Sequence, residues 1–365
     1  MGSADPPTTP LFSVVIPVHG VEDYVGACLE SVSGQTFDDY EALVIDDGSP
    51  DSCGQIIDKY AEQEARIVPI HLSRAHGLGP ARNVGIERAG GRYLVFLDGD
   101  DEFAPDALRR LAQHLIEHDE PEVALYDYVM TPPCEITCFS NLHRWVPPAI
   151  DGPFRVRDVP LALRVAWTAW NKAYRRDFIE RFALRFASGT FEDAPWACSS
   201  LVAASSVTAL HEVCVRYRCC RRGSITRSRS SRHADIFTQF DRLYDFLADH
   251  PYFEFHELRP EITRRMTLIM QSLGAEGGLI PPEILADFRT RCEQYFEDRR
   301  PAHYDGPDLR WPPTPWDAWA DTGGYAPLVW GEDPVTPART VAPWRNTRRT
   351  KKTPEVQPGG LPFTR

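Results

Sequence analysis

Short apolar runs alternate with stretches of helical period through the N-terminal part of the sequence. The apolar, β-rich runs predict strands at Phe12–Val18, Tyr40–Ile45, Arg66–Leu72 and Tyr93–Leu97. Between them, apolar residues recur at helical spacing and predict helices at Tyr24–Val32, Ile56–Tyr60 and Pro80–Ala89. Strands joined by helices at this spacing form parallel pairs, because a parallel pair needs a long crossover connection. We therefore expect an α/β fold with a doubly wound, mostly parallel sheet.

The sequence after Asp101 changes character in three steps. One further helix is expected at Pro105–His118 and one strand at Val123–Met130. Helical period then returns in three segments, which are Ile236–Leu247, Ile262–Met270 and Ile284–Phe288. From about Pro301 onward prolines and tryptophans are interspersed with glycine, and no period remains. The resulting boundaries are a disordered N-terminus at 1–10, an α/β domain at 11–230, a helical region at 231–300 and a partly disordered tail at 301–365.

Charge and composition exclude several classes of function. The chain has 40 Lys and Arg against 52 Asp and Glu, a net charge of −12, which disfavours nucleic-acid binding because phosphate contacts need a basic surface. No apolar run approaches the ~20 residues that span a bilayer, and the start is polar and proline-rich. We expect a cytoplasmic protein whose nine cysteines are reduced and mostly buried thiols rather than zinc ligands.

Acidic residues follow two of the predicted strands. Asp46 and Asp47 come after the second strand, and Asp98, Asp100 and Asp101 come after the fourth. Ligands of doubly wound sheets bind at the carboxyl ends of the strands, so both acidic groups should face one crevice. In extended backbone Asp98 and Asp100 project to the same side, and the glycine between them permits close approach.

Two carboxylates presented to one point repel each other, and this repulsion calls for a cation. Oxygen ligands alone favour Mg²⁺ or Mn²⁺ over Zn²⁺, and such ions are normally completed by water and substrate phosphates. Asp98 and Asp100 are therefore the expected metal ligands, with a diphosphate-bearing substrate. The alternative for Asp98 to Asp101 is a solvated acidic turn.

Four motifs in fixed order carry a resemblance to a known family. They are IPVHG at 16–20, DDGS at 46–49, GLGPARNVGI at 77–86 and LDGDD at 97–101. The chain resembles the family 2 glycosyltransferases with the Rossmann-like GT-A fold. The likeness continues through WNKAYRRDF at 170–178, FEDAPW at 191–196 and RRGSITR at 221–227, so that it covers about residues 11–227.

The resemblance assigns a donor-binding set. It implies that the backbone of Pro17 and Val18 flanks the nucleotide base and that Asp46 or Asp47 hydrogen-bonds it. It also places Gly77, Arg82, Asp98 and Gly99 at the donor, with the guanidinium on the diphosphate or ribose, where an arginine and a helix N-terminus both favour anions. The alternatives are a turn role for the aspartates and a surface position for Arg82.

The acidic pair Glu192–Asp193 matches the family's catalytic base. Chemically, one carboxylate must accept the proton of the attacking hydroxyl, and we assign that role to Asp193 first and Glu192 second. The resemblance implies transfer with inversion. The alternative is an ordinary helix N-terminus, where acids interact favourably with the helix dipole.

Two further segments are expected at the substrate. Trp170, Asn171 and Lys172 are predicted to line the donor-sugar or acceptor pocket, with a buried structural tryptophan as the alternative. Arg222 and Ser224 belong to a loop predicted to cover the diphosphate, with a solvated basic turn as the alternative.

The expected reaction moves a sugar from a nucleotide-diphosphate donor, of UDP type by resemblance, to an acceptor hydroxyl on a polymer, a lipid-linked intermediate or a glycoconjugate of the cell envelope. Two alternatives stay open: a non-catalytic binding module with a GT-A-like fold and a sugar nucleotidyltransferase. The latter needs a glycine-rich basic loop after the first strand, and residues 17–22 do not form one. The basic cluster at 345–352 is either a peripheral membrane contact or a solvated end.

Overall fold

The structure is a computed structural model that describes residues 9–131, 142–219, 221, 224, 228–253 and 255–311. All of them belong to one unit with a continuous hydrophobic core. Arg222 and the basic cluster at 345–352 lie outside the described residues, as do residues 1–8 and the tail from 312 onward. The predicted roles of these residues stay predictions.

The strand–helix alternation predicted for the N-terminal part is confirmed. The strands are β1 at Phe12–Val18, β2 at Tyr40–Asp46, β3 at Ile67–His71 and β4 at Tyr93–Phe96. The helices between them are α1 at Glu22–Ser33, α2 at Cys53–Ala61 and α3 at Leu78–Arg88. β1 and β4 are buried along their whole length, which explains why their sequences are continuous apolar runs without alternation.

The remaining elements complete the sheet and add helices. The strands are β5 at Glu102–Phe103, β6 at Val123–Thr131, β7 at Lys172–Arg175 and β8 at Val207–Arg218. The helices are α4 at Ala107–Glu117, α5 at Leu142–Trp145, α6 at Arg176–Arg181, α7 at Asp193–Ala203, α8 at Ile236–Asp249, α9 at Arg259–Gly274 and α10 at Pro282–Arg299. The last three are the three helices predicted from period, and the domain boundaries around them stay a prediction.

One eight-stranded sheet organises the chain, in the order β3-β2-β1-β4-β7-β6-β8-β5. The first four strands are parallel, β6 and β8 are parallel, and β7 runs antiparallel to both of its neighbours. The short strand β5 pairs antiparallel with the outer strand β8. The predicted mostly parallel α/β sheet is thus confirmed, and the antiparallel β7 lies beside β4 at the middle of the sheet.

Close packing of helices on this sheet depends on glycine at one position in α3. A Cβ on Gly85 would lie 2.3 Å from Cγ1 of Val15 in β1, a distance that real contacts do not reach. The absence of a side chain therefore lets α3 lie directly on the sheet. Helix α3 is held in this way against β1 and β2.

The C-terminal helices share the core of the sheet domain. Helix α8 packs against α7, and α9 packs against the short helical turn at 160–164. A two-pronged ion pair joins Arg164 to Glu261 of α9, with both N···O distances 2.7 Å. The six cysteines in the described part are all buried thiols. Among the helices of the described ranges, none is both long and apolar enough to cross a membrane.

Candidate active site

The acidic turn after β4 lies against the end of β1. The amide of Gly99 donates to the carbonyl of Pro17 at 3.2 Å. A Cβ on Gly99 would stand 2.9 Å from Cγ2 of Val18, so only glycine fits without a shift. The structure therefore places Gly99, and Asp98 beside it in the chain, against Pro17 and Val18. The predicted contacts of these residues with the donor stay predictions.

Arg82 of α3 connects the acidic turn with the N-terminus of α7. Its side chain is 0% exposed, and its Nη2 donates to Oδ1 of Asp98 at 2.7 Å. Its Nη1 donates to Oε1 of Glu192 at 2.9 Å and to Oδ1 of Asp193. One guanidinium thus joins three carboxylates that are separated widely in the sequence.

Asp100 and Asp101 accept hydrogen bonds from the last residue of β8 and from the segment that follows it. Nε of Arg221 donates to Oδ2 of Asp100, and the backbone amide of Arg218 donates to Oδ1 of Asp101 at 2.7 Å. The other oxygen of Asp101 is buried and has no hydrogen-bond partner among the described residues. Burial raises the pKa of both Asp100 and Asp101, and the negative charge of Asp98 raises both further. At Asp100 the positive charge of Arg221 opposes this rise.

The donor set at this turn fits a hard divalent cation. Within the described ranges no group of three His, Cys, Asp or Glu side chains is arranged to hold a metal ion. Asp98 and Asp100 offer carboxylate oxygens only, and the charge of Asp98 raises the pKa of Asp100. Mg²⁺ is typically bound by one or two carboxylates with substrate phosphates and water, so two protein ligands suffice.

The predicted base lies at the first turn of α7. Asp193 begins the helix, and its Oδ2 accepts a hydrogen bond from the backbone amide of Ala169 at 3.3 Å. Its side chain is 17% exposed, against 7% for Glu192. Burial raises the pKa of Asp193, and the positive charge of Arg82 opposes this rise. Burial, together with the negative charge of Asp193, raises the pKa of Glu192 to about 8.

The aspartates at the end of β2, Asp46 and Asp47, hold the loops around them. Oδ1 and Oδ2 of Asp47 accept the backbone amides of His76 and Gly77, both at 2.8 Å. Oδ1 of Asp46 accepts the amide of Ser49 at 2.9 Å, and its Oδ2 hydrogen-bonds Nδ1 of His71 at 3.1 Å. Both carboxylates are thus engaged within the fold, and the contact of either aspartate with the nucleotide base stays a prediction.

Gly77 directly precedes α3 and has a backbone that favours glycine. Its φ is +99°, and it is the N-cap of the helix that carries Arg82. Because its amide donates to Asp47, the loop after β2 and the start of α3 are held as one piece. The predicted donor contact of Gly77 stays a prediction.

The segment predicted to line the sugar pocket lies beneath the site. Trp170 is buried and stacks on Tyr217, with ring centroids 5.0 Å apart and planes 10° apart. Asn171 and Lys172 have no exposed surface. These side chains face protein groups in this structure, so a direct contact with substrate stays a prediction.

The loop after β8 is described only in part. The amide of Ser224 donates to the carbonyl of Arg221 at 3.2 Å. The sequence predicted a substrate contact for Arg222 and did not single out Arg221, whose side chain contacts Asp100. Both arginines belong to the same RRGS segment. The sequence also did not single out Ala169, whose role is played by a backbone amide that no sequence pattern marks.

Comparisons with known proteins agree with this geometry. Residues 13–160 match the family model described as Glycosyl transferase family 2. The uncharacterized glycosyltransferase EpsJ of Bacillus subtilis (strain 168) is 32% identical over 219 residues, 57% of this chain and 61% of EpsJ. TuaG of the same strain, named for teichuronic acid biosynthesis, is 35% identical over 108 residues, 30% of this chain and 43% of TuaG.

A solved structure shares the fold. The crystal structure of S. aureus TarS 1–349 in complex with UDP-GlcNAc has a TM-score of 0.53 at 19% identity, covering 79% of this chain and 87% of that chain. The match spans about three fifths of EpsJ and less than half of TuaG. The family match, the named relatives and the common fold lead to one conclusion: residues 13–160 belong to the family 2 glycosyltransferases, and the chain has the GT-A fold.

Proposed function

We propose that the protein transfers a sugar from a nucleotide-diphosphate donor to an acceptor hydroxyl, with inversion at the anomeric carbon. The observation that carries the proposal is the buried Arg82, which contacts both Asp98 of the acidic turn and Asp193 at the start of α7. A carboxylate suited to a metal and a carboxylate suited to proton transfer are thereby held by the two terminal nitrogens of one guanidinium.

Asp98 and Asp100 are the proposed ligands of Mn²⁺ or Mg²⁺. A cation bound there would supply positive charge that stabilises the leaving diphosphate. Arg221, which contacts Asp100, adds a further cation near the same carboxylate. The fit rests on oxygen-only donors and on the mutual repulsion of two partly buried carboxylates.

Asp193 is the proposed general base. Its carboxylate accepts the proton of the acceptor hydroxyl as the hydroxyl oxygen bonds to the anomeric carbon. The bond from that carbon to the diphosphate breaks on the opposite face, which gives inversion. A raised pKa suits this role, because a base works best when its pKa approaches the operating pH.

Donor and acceptor are proposed at the level of class. The TarS fragment of the same fold was solved with UDP-GlcNAc, so that donor is the first to test. The name of TuaG points to polymers of the cell envelope as acceptors. Asp46, with Pro17 and Val18 beside it, is the proposed base-binding edge.

The experiment is a thermal-unfolding panel of nucleoside diphosphates and sugar nucleotides, each with Mn²⁺, Mg²⁺ or EDTA. A ligand that binds only the folded state at about 100 times its Kd stabilises it by about 2.7 kcal/mol. We expect one base to raise Tm with metal and not with EDTA, and Asp100→Asn to weaken that rise. An absence of any shift, together with no release of nucleoside diphosphate, would favour a non-catalytic binding module.

A further inference from the structure

Lys172, the first residue of β7, is a fully buried lysine, and within the described ranges its side chain hydrogen-bonds only uncharged groups. Its Nζ donates to the carbonyls of Ala166 and Thr168, both at 2.9 Å, and to Oδ1 of Asn171 at 2.5 Å. An ammonium group has three donors, and these three acceptors use all of them. The lysine therefore ties together the turn at 166–171 from its inner side.

The same turn carries the amide that contacts the proposed base. The amide of Ala169 donates to Oδ2 of Asp193 at 3.3 Å, while its carbonyl accepts from the hydroxyl of Tyr174 at 3.2 Å. The hydroxyl of Thr168 donates to Oδ1 of Asn171 at 2.9 Å and closes the turn. Two carbonyls of the turn point to Lys172, and one amide points to Asp193.

Burial of a cation is costly, so its presence here calls for a physical reason. Burial lowers the pKa of Lys172 to about 7, and the nearby charge of Asp193 acts in the opposite direction. In return, Lys172 opposes the rise in the pKa of Asp193 that burial causes. The two groups thus interact electrostatically, in addition to the link through Ala169.

We propose that Lys172 is a positioning residue for Asp193, holding the turn at 166–171 so that the amide of Ala169 orients the carboxylate. Lys172 has no exposed surface with which to contact substrate, so it acts through the turn. The inference rests on the proposed function, in which Asp193 is the base. It differs from the sequence-based expectation that Lys172 lines the sugar pocket.

A positioning role and a direct contact with the sugar donor predict different kinetics for Lys172→Met. This variant removes the hydrogen-bond donors of Lys172 and keeps an unbranched side chain. A positioning role lowers kcat by about 10-fold or more while donor KM stays within about two-fold, because the orientation of the base matters in the transition state. Direct contact with the donor raises its KM instead. An unchanged kcat, or a loss expressed in KM, overturns the proposal.

Leu115→Ala is the control for loss of stability alone. Leu115 is buried in α4, away from the turn, and its truncation should lower Tm without lowering kcat at a temperature where both proteins are folded. An equal loss of kcat in the control would show that Lys172 acts only through global stability. If the wild-type protein turns over no donor, the proposed function fails. If the wild-type protein is active and Lys172→Met is equally active, only the positioning role of Lys172 fails.

Thr168→Val provides a second variant if Lys172→Met does not fold. It removes one hydroxyl from the same turn and keeps the shape of the side chain. The proposal expects a smaller loss in kcat, about two- to five-fold, again with little change in donor KM. Wild-type kcat in this variant would contradict the positioning role of the turn.

Discussion

Nη2 of Arg82 lies 2.7 Å from Oδ1 of Asp98, and the arginine side chain is completely buried. The same guanidinium contacts Glu192 and Asp193. Burial alone would lower the pKa of Arg82, but the three carboxylates together hold it above its ordinary value. Arg82 is therefore a permanent cation that compensates the acids on both sides of the proposed site.

Loss of this cation should destabilise the fold strongly. Arg82→Met would leave one buried and two partly buried carboxylates without their common partner. Breaking a buried ion pair costs about 3–5 kcal/mol. We expect a loss of that size in the free energy of unfolding, measured by urea titration. Arg82→Lys should recover only part of it, because an ammonium cannot reproduce the planar guanidinium fork. A cost below about 1 kcal/mol for Arg82→Met would contradict the arrangement.

Variants of the two aspartates at the end of β2 should separate an effect on stability from an effect on donor binding. Asp47→Ala leaves the amides of His76 and Gly77 without their acceptor and should cost about 1–3 kcal/mol of folding free energy. Asp46→Asn keeps an oxygen for the amide of Ser49. It should therefore lower the free energy of unfolding less than Asp47→Ala does, and it should weaken nucleotide binding more. Calorimetric titration with nucleotide beside urea unfolding measures both effects. Unchanged nucleotide affinity in Asp46→Asn would exclude it as the base contact.

Stability should depend on pH through a histidine away from the site. Burial lowers the pKa of His114 to about 4, and the charge of His118 acts in the same direction. The unfolded imidazole titrates near 6.5, so between about pH 6.5 and pH 4 the unfolded chain binds the proton more readily. Stability is therefore lost as the pH falls through this window, by up to roughly 3 kcal/mol, and is unaffected above it.

His114→Gln is the matched variant for this effect. Glutamine does not titrate, and it can keep a hydrogen bond to Thr208, whose hydroxyl oxygen lies 3.0 Å from Nε2 of the histidine. Urea unfolding of both proteins at about pH 7 and about pH 4.5 should show a smaller acid loss in the variant. Identical acid losses would show that His114 is not responsible.

Sequence patterns predicted those parts of the fold that depend on local period. The continuous apolar runs of β1 and β4 and the repeating helices between the strands were sufficient for the parallel half of the sheet. Strand β7 was missed, because four residues are too short to show a period. Strand β8 was also missed, because its burial does not alternate regularly and its register with β6 shifts between Leu210 and Val215.

The sequence predicts the site residues that belong to recognisable motifs. It does not predict contacts between residues that lie far apart in the chain. The acidic turn at Asp98 and the pair at Glu192–Asp193 stand out in the sequence because of their motifs. Nothing local indicates that Arg82 lies between them, since those contacts join residues on α3, after β4 and on α7. Likewise, the burial of Lys172 depends on a turn whose path only the folded chain shows.

The most direct measurement compares wild-type protein and Asp193→Asn for release of nucleoside diphosphate from the donor and for Tm shift by the same donor with metal. The amide keeps the size of the side chain but cannot accept the hydroxyl proton. We expect turnover to fall by about 10²–10⁴-fold while the Tm shift persists, because the base acts in the transition state. Turnover at the wild-type rate, or loss of the Tm shift, would contradict the assignment of Asp193 as the base.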